Sequence, residues 1–208
     1  MNKPRIVVPM GDPSGVGPEI TAKAWVDQKV QEAADCILIG DRRIMEKAIE
    51  ITGVNLKIHV IKKPEDGEFY PGCMNLIDLK NVDMDQFAFG QISAMCGQAA
   101  YDYIEKSISL AMEGQADGVA TTPINKESLR AAKIPYIGHT EIFGALTKTE
   151  DPLTMFETNG MRIFFLTRHV SMAEMLGMIK KERIKDYVKR CQKALEKLGV
   201  TGGTMAIA

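Results

Sequence analysis

Short β-branched runs alternate along this chain with segments whose apolar residues recur every three or four positions. That alternation confines it to an α/β architecture, a sheet with helices on both faces. Runs at 5–10, 36–40 and 56–61 predict strands. Helices are predicted over 18–30, where Pro18 suits a first turn, and over 42–51. A long helix is predicted from Gln91 to Gly114, with Ile92, Cys96, Ala100, Ile104, Ile108 and Ala111 along one face. A strand over 117–122, a turn at Pro123 and helices over 126–132 and 140–146 follow. The runs 153–157 and 162–167 flank Asn159-Gly160, a strong hairpin signal. Ser171 and Glu174 have capping-box spacing, so a helix should start there. The last helix aligns Ile184, Val188, Cys191, Leu195 and Leu198, and residues 204–208 read as the start of another strand. Residues 62–90, punctuated by Pro, Gly and Asp, read as the least regular part. Because a hairpin adds antiparallel strands, the expected sheet is mixed. Residues 1–208 show no clear internal boundary. A buried strand at the very end predicts a piece of a longer protein.

Composition narrows the function classes. Lys+Arg 26 against Asp+Glu 27 leaves a net charge of −1, which gives no field for nucleic acid or an anionic membrane. An anionic ligand must therefore be held by a local site. No apolar run approaches the roughly 18 residues of a membrane span, and the N-terminal stretch is too short for a signal peptide. Cys36, Cys73, Cys96 and Cys191 are widely spaced with no C-x-x-C, so a reduced, cytoplasmic setting is expected.

Four segments can carry chemistry. Gly11-Asp12-Pro13-Ser14-Gly15-Val16-Gly17-Pro18-Glu19 joins a strand to a helix, where backbone N–H groups can approach an anion. It is neither G-x-G-x-x-G nor a P-loop, so a phosphotransferase is disfavoured and a plain tight turn is an equal alternative. Thr121-Thr122-Pro123-Ile124-Asn125-Lys126-Glu127 follows a buried strand, the place where open α/β sheets bind ligands. Its hydroxyls, amide and ammonium suit a carboxylate or phosphate, or form a helix cap with Lys126 in solvent. Gly138-His139-Thr140-Glu141 precedes a helix, either as an anion contact or with Thr140 as a simple cap. In Thr167-Arg168-His169-Val170-Ser171 the imidazole is a candidate metal ligand or a structural group. His59 lies on a strand and is assigned no role.

Together these segments resemble one family, the 4-hydroxythreonine-4-phosphate dehydrogenases, including their D-threonate and D-erythronate 4-phosphate relatives. The likeness rests on Met10 to Glu19, Thr122-Pro-Ile-Asn-Lys126, Gly138-His-Thr-Glu141 and Thr167-Arg-His169, in that order and spacing. It runs over residues 4–208, and the chain matches the front two-thirds of one dehydrogenase unit. The resemblance implies an isocitrate/isopropylmalate dehydrogenase-like α/β/α sandwich rather than a Rossmann fold. It also implies a homodimer with the active site at the subunit interface, NAD or NADP, and a divalent metal (Zn, Mg, Mn or Co). His139 and Thr140 then bind the phosphorylated substrate, His169 is the first metal ligand, and Lys126 and Asp12 order the reacting groups. The implied reaction moves hydride from a phosphorylated 3-hydroxy acid to NAD(P), and decarboxylation follows. The segments 151–156 and 164–169 look more like the threonate and erythronate relatives. Two further metal-ligand histidines come later in the family, the nearer in an Asn-Pro-His segment that would begin just after Ala208. The alternative is a truncated, non-catalytic paralogue that binds ligand or dimerises without turnover.

Overall fold

A computed structural model describes residues 3–168 and 170–207. The backbone groups into two compact units, Met1–Glu150 and Asp151–Ala208.

The first unit opens with β1 (Arg5–Pro9), α1 (Gly17–Trp25), α2 (Gln28–Ala33), β2 (Asp35–Gly40), α3 (Arg42–Thr52) and β3 (Lys57–Ile61). It continues with β4 (Cys73–Asp78), α4 (Ala94–Met112), β5 (Gly118–Val119), α5 (Lys126–Ala131) and α6 (His139–Leu146). The helix expected over 18–30 is two helices, because the Asp27 side chain accepts the Lys29 N–H and caps a new start. α3 ends where Gly53 takes a left-handed φ of 65°.

The five strands form one parallel sheet in the order β3-β4-β2-β1-β5. The order is not that of the standard dinucleotide-binding sheet. β1 has β2 on one side and β5 on the other, so the chain changes direction there. In open α/β sheets, ligands bind in the crevice beyond the carboxyl ends of strands at such a switch. Val7, Ile37, Leu38, Ile39, Met74 and Leu76 are fully buried beneath the helices, at roughly 2 kcal/mol of favourable transfer each. A second cluster of Ile104, Ile108, Leu129 and Ile142 welds α4, α5 and α6 together. Gly97 makes that contact possible, since a Cβ there would lie 2.0 Å from the Ser128 carbonyl oxygen.

β4 is the strand the sequence hides. It runs inside the sheet between β2 and β3, within the stretch read as irregular. Asn75 interrupts its apolar run, yet is 1% exposed, because its amide exchanges two hydrogen bonds with the backbone of residue 68.

The second unit contains β6 (Met155–Thr158), β7 (Met161–Phe164), α7 (Met172–Met178) and α8 (Lys181–Lys197). The hairpin forms as expected, with Asn159 and Gly160 both at positive φ and Thr158 opposite Met161. The expected mixed sheet is corrected. β6 and β7 pair only with each other in a separate two-stranded sheet, and the five-stranded sheet is wholly parallel. Residues 204–207 form no strand, since no described strand pairs with their backbone, and Ala208 lies outside the described residues. No helix among the described residues is long and apolar enough to cross a membrane.

Candidate active site

Two of the four segments lie on the loops that leave β1 and β5, and the backbone locks them together. The Asp12 N–H donates to the Pro123 carbonyl at 3.1 Å, and the Thr122 hydroxyl donates to the Pro9 carbonyl at 2.7 Å. Gly11 sits at φ 80°, and a Cβ there would lie 2.3 Å from the Pro123 oxygen. A Cβ on Gly17 would lie 2.5 Å from the Met10 oxygen. The glycines are therefore required by backbone-on-backbone approach, which joins the tight-turn reading to the site reading.

Asp12 is 2% exposed. Its Oδ1 accepts from the Ser14 N–H at 2.8 Å, and the Ser14 hydroxyl lies 2.8 Å from it and 2.7 Å from the Gln91 carbonyl. Its Oδ2 is buried without a partner among the described residues. An unpaired buried acceptor is costly, so this oxygen is poised for a donor. At α1 the N-cap residue Val16 makes no side-chain cap bond.

The third segment joins the same mouth. α6 starts at His139 with Gly138 as a cap that supplies no side chain, so its first N–H groups are open to a ligand. The Lys126 Cε lies 4.0 Å from where a Gly138 Cβ would stand. A ring nitrogen of His139 faces the Thr122 carbonyl, while Nε2 is buried and has no partner among the described residues. Burial holds the His139 pKa below the ordinary histidine value, and the Thr122 carbonyl partly offsets this. Thr140 and Lys126 are exposed. Asn125 caps α5 by accepting from Glu127 and Ser128, which leaves Lys126 free of that task.

Asp12, Lys126, His139 and Thr140 thus gather at the carboxyl ends of β1 and β5. His169 lies outside the described residues. Its neighbour Arg168, in the second unit, holds Thr154 and the Pro152 carbonyl. Two contributors escaped the sequence reading. Gly90 donates to the Ser14 carbonyl at 2.7 Å, so the 90–91 loop pins the glycine-rich turn. Cys96, read as one more residue of an apolar helix face, lies against Ser14 and near Asp12, and burial raises its thiol pKa. Neither carries a local signal, because both act through a contact distant in sequence.

The family model for pyridoxal phosphate biosynthetic protein PdxA matches residues 32–208. The chain belongs to the PdxA family. A protein of Fusobacterium nucleatum named D-threonate 4-phosphate dehydrogenase is 54% identical over 204 residues, covering 98% of this chain and 61% of its own length. One of the same name from Clostridium botulinum is 53% identical over 207 residues, covering 100% of this chain and 62% of its own. A crystal structure titled 4-hydroxythreonine-4-phosphate dehydrogenase, from Burkholderia phymatum, superposes with a TM-score of 0.89 at 32% identity, over 96% of this chain and 60% of that one. The chain therefore spans about three-fifths of the length of these PdxA-family relatives.

Proposed function

We propose that this chain is the front part of a cytoplasmic, homodimeric, NAD(P)-linked dehydrogenase with an isocitrate/isopropylmalate dehydrogenase-like sandwich. Its substrate class is a phosphorylated 3-hydroxy acid, D-threonate 4-phosphate before 4-hydroxythreonine 4-phosphate, and oxidation is followed by decarboxylation. One observation carries the reading. Four polar groups from three distant segments meet at the switch point of the sheet, and two buried atoms there, Asp12 Oδ2 and His139 Nε2, want partners. The names of the relatives support the substrate class.

The residues fit the two ends of such a substrate. The open N-terminus of α6, the Thr140 hydroxyl and the Lys126 ammonium suit a phosphate or carboxylate. A neutral His139 that gives its Nδ1–H to the Thr122 carbonyl keeps its lone pair on Nε2, which can accept a hydrogen bond from the substrate without adding charge. Asp12 Oδ2 suits a hydroxyl or ammonium donor and would order it. Lys126, swinging on a flexible stem near Gly138, neutralises the anion and holds its register. When bound, a nicotinamide would take the hydride and a divalent ion would acidify the hydroxyl. No group of three metal-ligating side chains lies at this mouth among the described residues, and none of them forms a dinucleotide fingerprint.

The test has two parts. Protein from the native source should reduce NAD or NADP when given D-threonate 4-phosphate, and Lys126→Ala should lower kcat/KM by at least about tenfold, the loss of one charge-assisted contact. The 208-residue chain alone should bind the phosphorylated acid by calorimetry, more weakly after Asp12→Asn. Undiminished turnover in a Lys126→Ala, Asp12→Ala double variant would sink the assignment of these residues. Binding heat without any absorbance change in the native protein would replace the dehydrogenase by a non-catalytic binder.

A further inference from the structure

At the amino end of the sheet, remote from the switch point, β3 and β4 place a second set of reactive side chains together. The parallel register sets Lys57 beside Cys73 and His59 beside Asn75. Residues two apart on a strand share a face, so the Cys73 thiol, the Asn75 amide and the His59 ring lie on one side of the sheet. The loop before β4 brings Glu68 to them. Ligand atoms of His59, Glu68 and Cys73 all lie within 4.8 Å of one another. We infer that His59, Glu68 and Cys73 form a binding site for a zinc-class divalent cation, separate from the metal implied for turnover.

The chemistry of the donors selects the ion. A soft thiolate, an imidazole and a carboxylate are the ligand types of zinc, and they disfavour magnesium or calcium, which take oxygen sets. Tetrahedral zinc with bonds of about 2.0–2.3 Å holds its ligands ~3.5 Å apart, so the three groups need close only slightly. Support from the surroundings is already built. The Asn75 amide is fixed by Glu68, since its Nδ2 donates to the Glu68 carbonyl and its Oδ1 accepts the Glu68 N–H, each at 2.9 Å. Asn75 Oδ1 cannot donate, so the 3.2 Å contact with His59 Nδ1 is a hydrogen bond given by the ring. A neutral His59 keeping that bond carries its lone pair on Nε2, ready for a cation. An outer partner that sets the tautomer in this way is the usual arrangement behind a metal-ligating histidine. The Tyr70 hydroxyl lies beside the Cys73 sulfur.

The site has an open side. Cys73 and Asn75 also line a cavity of about 460 Å³ walled by Trp25, Phe69 and Tyr70. Three protein ligands leave the fourth position of a tetrahedral ion for a water or a small ligand. The edge strand β3 and the loop of residues 62–72 would then be clamped to the buried strand β4.

The test uses the 208-residue chain, reduced and freed of metal, titrated with Co(II) as a spectroscopic substitute for zinc. The expected result is a thiolate-to-cobalt charge-transfer band, abolished by added zinc, together with quenching of Trp25, whose indole N–H sits 3.0 Å from the Cys73 carbonyl. Cys73→Ser should abolish the band. His59→Gln and Glu68→Gln should weaken binding at least about tenfold. Glu68 is exposed, so its variant tests the site even if a buried substitution disturbs folding. No band in the native sequence, a band that survives Cys73→Ser, or an affinity unmoved in both other variants would each overturn the site.

Discussion

In the unit of residues 1–150, Ile37, Leu38, Ile39, Met74, Tyr103 and Leu129 are sealed from solvent, and glycines are placed where backbones touch. In the unit of residues 151–208, Tyr187 and Cys191 are the buried apolar residues among those described, while Phe156, Met161, Met172 and Leu176 are more than half exposed. The second unit is held largely by long polar side chains reaching backbone carbonyls. Arg168 holds Pro152, Arg183 holds Leu166, Tyr187 holds Phe165, and Arg190 holds Asp151. Each such bond contributes about 1 kcal/mol net, whereas a sealed Leu contributes several when the cost of its removal is counted. The first unit is thus specified by shape and the second by a handful of hydrogen bonds. The two should respond differently to perturbation, and the chain carries a convenient reporter. Its single tryptophan, Trp25, is buried in the first unit.

The largest effect should come from crowding the first unit at its tightest contact. Gly97→Ala drives a Cβ to 2.0 Å from the Ser128 oxygen, so α4 and α5 must separate. A loss of about 3 kcal/mol is expected, at the upper end for overpacking. It should show as a lower urea midpoint of Trp25 emission. Gly53→Ala is the control. Gly53, unlike the helical Gly97, has a left-handed φ, of 65°, but nothing lies within 4 Å of its Cβ position, so only about 1 kcal/mol of backbone strain is expected. Equal losses in the two variants would mean that shape does not specify the first unit.

In the second unit the corresponding blow is milder and invisible to Trp25. Arg190→Met removes the bonds to the Asp151 carboxylate and carbonyl and the guanidinium over the Tyr187 ring, while keeping an apolar side chain of similar length. About 1–2 kcal/mol of local stability should go, because the guanidinium is partly exposed and its ion pair is screened. Hydrogen exchange over residues 151–208 should quicken while the Trp25 midpoint holds. A smaller loss, about 1 kcal/mol, should follow Ser171→Ala, which removes the N-cap bond to Glu174 and one half of the capping box of α7. Protection confined to residues 172–178 should fall. If either change lowered the Trp25 midpoint as much as Gly97→Ala, the contrast between the units would fail.

What could be read in advance follows the same divide. The alternating α/β order, the long helix, the Asn159-Gly160 turn and the Ser171 cap are local signals, and local signals survive folding. β4 was hidden because its Asn75 looks like a breaker until residue 68 arrives to satisfy it. The hairpin is legible, but its separation from the five-stranded sheet is not, because pairing partners are chosen at a distance. At the candidate active site the motifs marked Asp12, Lys126, His139 and Thr140. The parts that hold the turn in place, the 90–91 loop and Cys96, carry no motif because their task is contact alone.

The smallest effect tests whether the mouth of the first unit pays for function with stability. His139 is held below its ordinary pKa mainly by burial, so the unfolded chain binds a proton more readily than the folded one. The sign follows. Above the unfolded value near 6.5 both states are neutral and the ring exacts nothing. As pH falls through that value the unfolded state gains its proton first, and stability drops until the lower folded pKa is passed. Below it the penalty is constant. His139→Gln removes this term, so the Trp25 urea midpoint of the variant should gain on that of the native sequence between about pH 7.5 and about pH 5.5. Carboxylates titrate alike in both proteins and cancel in the difference. A gap independent of pH would show that the ring is solvated in the folded state, and that His139 Nε2 is not the waiting partner its burial makes it.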